Sequence, residues 1–508
     1  RSMKRLSKAQ SYALLLIGGA IFPLGLSPFE LWPAVIVSMA ILFQSFRQPS
    51  IKQAFFNAMT YGFGLFIAGA SWLYVSIHEY GFIAAPLALI ATTLFCLFLA
   101  VIFAAPFTFA AFLPSTPIAL MFGLPAIWVL SEWIRTWIFT GFPWLYAGYS
   151  HTDTWLNGWA PIGGVLWLSF ITALAAVLGM WIVQGMGKRR SAISLCALLV
   201  TFTVSGYFLQ QVEWTKDRGK PITVAIIQPN IPQNEKWSVQ KRRAILDQLA
   251  AQTEPYWGHD LIIWPEAAVP SIPQRIPHFM QSIQSRSIDS GSTLLTGIIT
   301  YQAEPRRYYS SVLAMGADQG QYHKTRLVPF GEYVPLESLL RGLIKLFDLP
   351  MSSLSIGPPN QAPLSVKEQF IATAICYEVV YPDLVARNSR EASVILTVSN
   401  DTWFGESLGP LQHMQMVRMR AVENAKPFIR GTNNGISGLV DHQGKVYQRI
   451  DQNSIAEVSG IVQPRAGQTP FSMTGSWPVV FLSLLIVCFL IFNRIKTNVL
   501  KESKNEIK

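Results

Sequence analysis

Phe370-Ile371-Ala372-Thr373-Ala374-Ile375-Cys376-Tyr377-Glu378 reads as a short apolar run that ends abruptly on polar chemistry. Six residues with little charge suit a strand covered by other elements, because a strand buried on both faces loses the apolar/polar alternation. A thiol at the end of such a strand, followed by a turn, is rigidly placed and exposed, and the next backbone N–H is free to point at an oxyanion. Taken alone, Cys376 also fits a small buried core residue.

Outward from this run the pattern repeats. Thr223–Gln228, Leu261–Trp264, Thr293–Ile299, Ser310–Met315, Ser393–Val398 and Ile436–Val440 read as further strands, with helical periodicity at Gln240–Thr253 and Gln412–Asn424. The mixture predicts an α/β or α+β sandwich over residues 213–472. Pro350–Pro363 reads as a loop, and the apolar stretch Leu339–Leu349 before it as a lid or bilayer contact.

On either side of that domain the composition changes. The 508-residue chain is 51% hydrophobic and only 14% charged, and the deficit of charge is concentrated in long apolar blocks. Soluble proteins carry about 25% charged residues, and a helix crossing the hydrocarbon core needs about 20 apolar ones. Seven spans are predicted within 1–212, at roughly 10–28, 31–46, 54–77, 83–112, 116–134, 160–184 and 191–211, and an eighth within 473–508, at 476–494. The net charge of +11 falls largely in short loops and at the ends, with Arg47 and Lys52, Lys188, Arg189 and Arg190, and Arg494 and Lys496 all on one side of alternating spans. That asymmetry marks the cytoplasmic face and accounts for the basic balance without nucleic acid. Both termini are then cytoplasmic and the globular domain lies outside.

Three of the four cysteines, Cys96, Cys196 and Cys488, fall in apolar spans, so the globular domain has Cys376 alone and no disulfide framework. No metal-ligand spacing and no Gly-rich phosphate loop is present, so neither metal nor cofactor is expected. Two other residues stand where chemistry could use them. Glu266 ends the apolar run Leu261-Ile262-Ile263-Trp264-Pro265, where desolvation raises a carboxylate pKa toward that of a general base. Lys324, in His323-Lys324-Thr325-Arg326-Leu327-Val328-Pro329-Phe330-Gly331-Glu332, is a cation able to lower a thiol pKa and stabilise an oxyanion. Each alone also suits an ordinary surface residue. Glu332 and Glu378 are carboxylates able to hold Lys324, and Tyr377 supplies a backbone N–H and an aromatic face. Trp144 and Trp237 are amphipathic rings suited to a site at the membrane interface and are the candidate substrate-binding residues.

Together, Trp264-Pro265-Glu266, Lys324 with Leu327-Val328-Pro329-Phe330-Gly331-Glu332, and Cys376-Tyr377-Glu378 resemble the nitrilase superfamily over about residues 220–470. The resemblance implies an αββα sandwich with a Glu266–Lys324–Cys376 triad that forms a thioester. With eight spans around that domain, and with Gly141-Phe142-Pro143-Trp144-Leu145, Gln228-Pro229-Asn230-Ile231-Pro232-Gln233, Lys236-Trp237 and Val398-Ser399-Asn400-Asp401-Thr402-Trp403-Phe404, the chain resembles the apolipoprotein N-acyltransferase family. It departs at Tyr308-Tyr309-Ser310-Ser311, where such domains often carry Asn in place of Ser310. The family implies support from Glu332, Tyr377 and Glu378 and a substrate role for Trp237. It also implies a phospholipid donor, a diacylated apolipoprotein acceptor, and a bacterial inner membrane with the catalytic domain in the periplasm. Two other readings use the same residues. One is a membrane-tethered amidohydrolase in which water resolves the thioester. The other is a transporter or lipid receptor with a degenerate domain, which predicts polar groups at mid-membrane, of which Glu132 is the clearest.

Overall fold

The computed structural model describes residues 7–184, 189–329, 331–333 and 354–506. The apolar stretch Leu339–Leu349 and the start of the following loop lie outside the described residues. The chain forms two compact units. One takes the chain up to Tyr74, Ala85–Val212 and the chain from Ser476 onward, and the other Val75–Ala84 with Glu213–Gly475.

The first unit is helical: α1 (Lys8–Ile21), α2 (Trp32–Gln44), α3 (Ile51–Gly69), α4 (Ala85–Ala104), α5 (Pro117–Trp137), α6 (Ala160–Gln184), α7 (Arg189–Leu209) and α12 (Trp477–Glu506). Among the described residues five helices are long and apolar enough to cross a membrane, or six if α3 and the segment Trp72–Tyr80, bent by 55°, count as one span. The eight expected spans are therefore only partly matched. α1 and α2 have 14 and 13 residues, against the ~20 that a full crossing needs. Glycines let α1 and α3 approach closely: a Cβ on Gly19 would stand 2.0 Å from Tyr61 O, and one on Gly64 2.1 Å from Leu16 O. Without a hydrophobic drive between helices, such small-residue contacts carry packing in lipid. Glu132, fully buried in α5, accepts hydrogen bonds from Trp128 Nε1 (2.9 Å), Ser169 Oγ (2.5 Å) and Ala147 N (3.3 Å). Its neighbour Arg135 donates to Trp144 O (3.0 Å). These polar groups knit helix to loop, so Glu132 has a structural partner set of its own.

The second unit is a two-sheet sandwich. Its strands are β1 (Ile222–Gln228), β2 (Leu261–Val269), β3 (Thr293–Gln302), β4 (Arg307–Met315), β5 (Gly320–His323), β6 (Leu364–Val366), β7 (Gln369–Ile375), β8 (Val394–Ser399), β9 (Phe428–Thr432), β10 (Ser437–Val440), β11 (Val446–Ile450) and β12 (Ala456–Val462). One sheet runs β12-β1-β2-β3-β4-β5, the other β11-β10-β9-β8-β7-β6. The central pairs β1–β2, β2–β3, β7–β8 and β8–β9 are parallel and the flanking pairs antiparallel. Five of the seven strands legible in sequence, β1, β2, β3, β7 and β8, have a parallel neighbour, which explains why several of them read as continuous apolar runs.

Alternate residues of those runs face different cores. Val224, Ile226, Leu261 and Ile263 pack between the sheets with Ile371, Val394, Leu396 and Ile429. Ala225, Ile227, Ile262 and Trp264 face outward, under α8 (Arg242–Thr253) and α9 (Pro277–Ser290). α10 (Pro382–Ser389) and α11 (Gly409–Asn424) pack on the second sheet, completing the αββα layers. Five strands lacked a sequence signal. β9 carries the buried Arg430 and Gly431 within Phe428–Thr432, and β12 exposes alternate positions along the sheet edge. Val75–Ala84 joins this unit through Ser76 Oγ, which donates to Trp403 O (2.5 Å), and the Tyr80 ring, which meets Trp403 edge-on at 6.0 Å.

Leu396 is fully buried between the sheets. Leu396→Ala should cost about 2–5 kcal/mol of stability, read as a lowered unfolding midpoint of the purified protein in detergent. An unchanged midpoint would contradict the inter-sheet core described here.

Candidate active site

The candidate residues stand at or near strand ends, close to where loops leave the sheets. Glu266 lies late in β2, Lys324 follows β5, Cys376 follows β7, and Ser399 closes β8 with Asn400 and Asp401 after it. Side chains beyond the carboxyl ends of parallel strands share one crevice.

Two of these positions are conformationally unusual. Cys376 has φ +51° and Ala267, next to Glu266, has φ +45°. Left-handed conformations at such residues cost about 1–3 kcal/mol and persist where surroundings enforce them. At Glu266 the enforcement is visible: β2 breaks register with β3 between Trp264 and Val269, and the neighbouring Gly297 leaves room for the bulge. A Cβ on Gly297 would lie 2.3 Å from Pro265 O and 2.6 Å from Glu266 Cα.

Lys324 is fully buried. Its Nζ lies 3.2 Å from Glu266 Oε1 and 2.7 Å from Glu332 Oε1. Burial opposes its charge, but the two carboxylates outweigh that and hold its proton well above the ordinary lysine range. The second oxygen of each carboxylate is fixed by the main chain, Glu266 Oε2 by Asn400 N (3.0 Å) and Glu332 Oε2 by Val328 N (2.8 Å). Lys324 N in turn donates to Ser310 O (2.8 Å), so position 310 serves the site through its carbonyl. Burial, with the charge of Glu266, pushes the Cys376 thiol above its ordinary value, while Lys324 pulls it back in part. The resting sulfur is therefore a thiol, which must lose its proton before it can serve as a nucleophile.

Glu378 does not hold Lys324. Its Oε1 accepts from Thr325 N (2.7 Å), Thr325 Oγ1 (2.8 Å) and Arg326 N (3.2 Å), its Oε2 from Ile375 N (2.8 Å), and Tyr322 Oη donates to both oxygens at 3.0 Å. It latches the turn after Cys376 to the segment that carries Lys324, and Glu332 is the carboxylate that pairs with the ammonium. Tyr377 opens the same turn, its ring edge-on to Tyr381 at 5.4 Å. Trp237 is half-buried beside Ile299, Leu327 and Leu354, and its indole N–H is buried with no hydrogen-bond acceptor among the described residues. Trp144 belongs to the helical unit, where it is buried against Trp72 (5.2 Å) and Phe142 (5.9 Å).

One charged residue beside the triad was quoted in the sequence but given no role there. Lys236 is almost fully buried, donates to Glu266 O (3.3 Å), and is pushed down to about 8 by burial, with Glu266 and Cys376 opposing that shift. Asn400, in a stretch quoted above for resemblance, proves to orient Glu266. His413 and Arg430, inside a helix and a strand, carried no signal of their own.

Fold and cluster together define a carbon–nitrogen hydrolase domain joined to a helical membrane unit. Residues 223–469 match the carbon-nitrogen hydrolase family model, and residues 18–178 match that of the apolipoprotein N-acyltransferase N-terminal domain. Among curated proteins, the apolipoprotein N-acyltransferase of Pseudomonas syringae pv. tomato is 42% identical over 489 residues, covering 94% of this chain and 95% of that protein. The enzyme of the same name from Vibrio parahaemolyticus is 37% identical over 491 residues, covering 93% and 95%. A CN-hydrolase superfamily protein of Xanthomonas campestris superposes with a TM-score of 0.38 at 16% identity, covering 48% of this chain and 91% of that one. The chain belongs to the apolipoprotein N-acyltransferase family.

Because Gly297 makes room for the Glu266 bulge, Gly297→Ala should displace the carboxylate. A shift of about 1 Å in a reacting group costs roughly 10²-fold in rate. The turnover number measured on folded protein should fall by that order, and near-normal turnover would contradict the role given to the bulge.

Proposed function

We propose that the chain moves an acyl group from the sn-1 position of a phospholipid, through a Cys376 thioester, to the N-terminal amine of a diacylglyceryl-cysteine on an apolipoprotein. The observation that carries the reading is Lys324, buried between Glu266 and Glu332 in the same crevice as the Cys376 turn, in a chain that also has membrane-length helices. Membership of the family supports the acceptor.

In the first half-reaction the Cys376 sulfur attacks the ester carbonyl and its proton passes to Glu266. Lys324 and the Tyr377 N–H stabilise the oxyanion. As the intermediate collapses, the C–O bond breaks, and the leaving lysophospholipid oxygen takes the proton back from Glu266. In the second half the acceptor amine attacks the thioester and gives a proton to Glu266. The C–S bond breaks, an amide remains, and the thiol is restored by that proton. Protonating Glu266 removes one of the two negative charges facing Lys324, so its ammonium becomes available to the oxyanion as charge develops there.

We further propose the topology. A seven-helix membrane domain runs to 212, the catalytic domain spans 213–472 on the periplasmic side of a bacterial inner membrane, and an eighth helix returns the chain to the cytoplasm from 473. The positions of Lys and Arg in the short loops support it. Both substrates are anchored in the bilayer, so a thiol near the headgroups reaches each. Trp237 and Trp144 are each assigned to contact with lipid substrate.

Purified enzyme in phospholipid vesicles, assayed with a diacylglyceryl-cysteine lipopeptide, should give the parallel double-reciprocal plots of a ping-pong reaction. Cys376→Ser should lower transfer by roughly 10³-fold or more. Rapid release of free fatty acid without acceptor would instead identify a hydrolase. Trp237→Ala should raise KM about tenfold, for roughly 1–2 kcal/mol of lost apolar contact, and an unchanged KM would remove Trp237 from the substrate site.

A further inference from the structure

Besides the carboxylate–ammonium cluster, the Cys376 sulfur meets a second polar network. Ser399 Oγ lies 3.5 Å from Cys376 Sγ. The same hydroxyl is also within hydrogen-bond distance of Asp401 Oδ1. A hydroxyl has one proton to donate, so Ser399 serves the carboxylate or the sulfur, but not both fully. Asp401 stays ionised: burial disfavours its charge, but the Arg430 guanidinium outweighs that and holds its carboxyl below the usual range. Arg430 donates to Asp401 Oδ2 (2.8 Å) and anchors its own Nε on Ile436 O (3.1 Å).

His413 completes the frame. Its Nδ1 lies 3.2 Å from an Arg430 nitrogen, and its Nε2 lies 3.3 Å from Cys376 O. A carbonyl oxygen only accepts, so Nε2 carries the hydrogen that reaches the Cys376 carbonyl, while Nδ1 faces both the guanidinium and, at 3.3 Å, Asp401 Oδ1. Burial, with the charge of Arg430, keeps this imidazole neutral. The hydrogen bond fixes the main chain of a residue held at φ +51°. Ser399, Asp401, His413 and Arg430 are all buried.

We propose that Ser399 is a further catalytic residue of this site, its hydroxyl turning from the Asp401 carboxylate to the Cys376 sulfur as the thiol loses its proton, with Asp401, Arg430 and His413 as positioning residues. The inference rests on Cys376 being the nucleophile. No bond at Ser399 breaks: the thiol proton goes to Glu266, and the Ser399 O–H only changes acceptor. In the resting thiol the hydroxyl is held by Asp401. When negative charge gathers on sulfur, that hydrogen bond is worth more there, because a charged acceptor strengthens it. Asp401 loses little in the exchange, since Arg430 still binds it. When the thioester forms, the sulfur loses its charge and the hydroxyl returns. The charged groups that act on the sulfur are Glu266, Lys324, Asp401 and Lys236, while Glu332 is engaged with Lys324 and Glu378 with the Tyr322–Arg326 segment.

The test is the rate at which iodoacetamide alkylates Cys376, followed by mass spectrometry of its peptide in the full-length enzyme across pH. Alkylation reports the thiolate fraction. Ser399→Ala should shift the rising limb by about one pH unit to higher pH, a tenfold fall in rate at any fixed pH on that limb, and lower acyl transfer about tenfold. Ser399→Thr, which keeps the hydroxyl, should restore both, and both variants should unfold near the wild-type temperature. A Ser399→Ala profile superimposed on wild type would overturn the proposal and leave the nucleophile in place. So would a Thr variant as slow as the Ala variant at an unchanged unfolding temperature. Failure of the nucleophile itself gives a different result, a wild-type enzyme that keeps transferring after Cys376 is fully alkylated.

Discussion

An ammonium group buried without solvent is the constraint on which this site depends. Transferring such a charge into a protein interior costs several kcal/mol unless hydrogen-bonded partners compensate it. Lys324 has two, Glu266 at 3.2 Å and Glu332 at 2.7 Å, and each is fixed at its far oxygen by a backbone N–H. The three residues come from two separate stretches of chain, Glu266 from one and Lys324 with Glu332 from the other. Their mutual need therefore ties the end of β2, the segment after β5 and the Asn400 turn into one geometry. Removing one partner leaves charge stranded, so the arrangement is held as a unit.

The same charge balance sets the chemistry. Burial, with the charge of Glu266, keeps the Cys376 sulfur protonated at rest, and Lys324 opposes that in part. In the proposed reaction, proton transfer to Glu266 leaves Lys324 facing the charge of Glu332 alone and frees it for the oxyanion. Glu378, bonded to both the Cys376 turn and the Lys324 segment, keeps nucleophile and cation in register. The loop Val75–Ala84 packs on Trp403, three residues beyond the Asn400 that orients Glu266. A segment embedded in the membrane sequence is thereby joined to the catalytic unit.

Much of this was legible in the sequence because parallel strands buried on both faces leave an unbroken apolar run, and a charged or thiol residue at its end stands out. Glu266 and Cys376 were found in that way, and Lys324 through its neighbours. Glu378 was noticed but given the wrong partner, since sequence spacing does not say which carboxylate a folded lysine reaches. Lys236, His413 and Arg430 were not legible as site residues. A basic residue before a tryptophan, in a helix or in a strand looks like surface until the fold buries it. The count of eight spans is matched only in part for a related reason: hydropathy marks apolar stretches, but Ile21 and Gln44 end α1 and α2 short of the length of a full crossing.

The measurement that bears most directly on the central claim is the mass of the Cys376 peptide after the enzyme has met phospholipid alone. A gain of one acyl group on that peptide, removed by hydroxylamine and discharged when an amine-bearing lipopeptide is added, is the predicted result. A Cys376 peptide that stays unmodified while transfer proceeds, or an acyl group found on another residue, would contradict it.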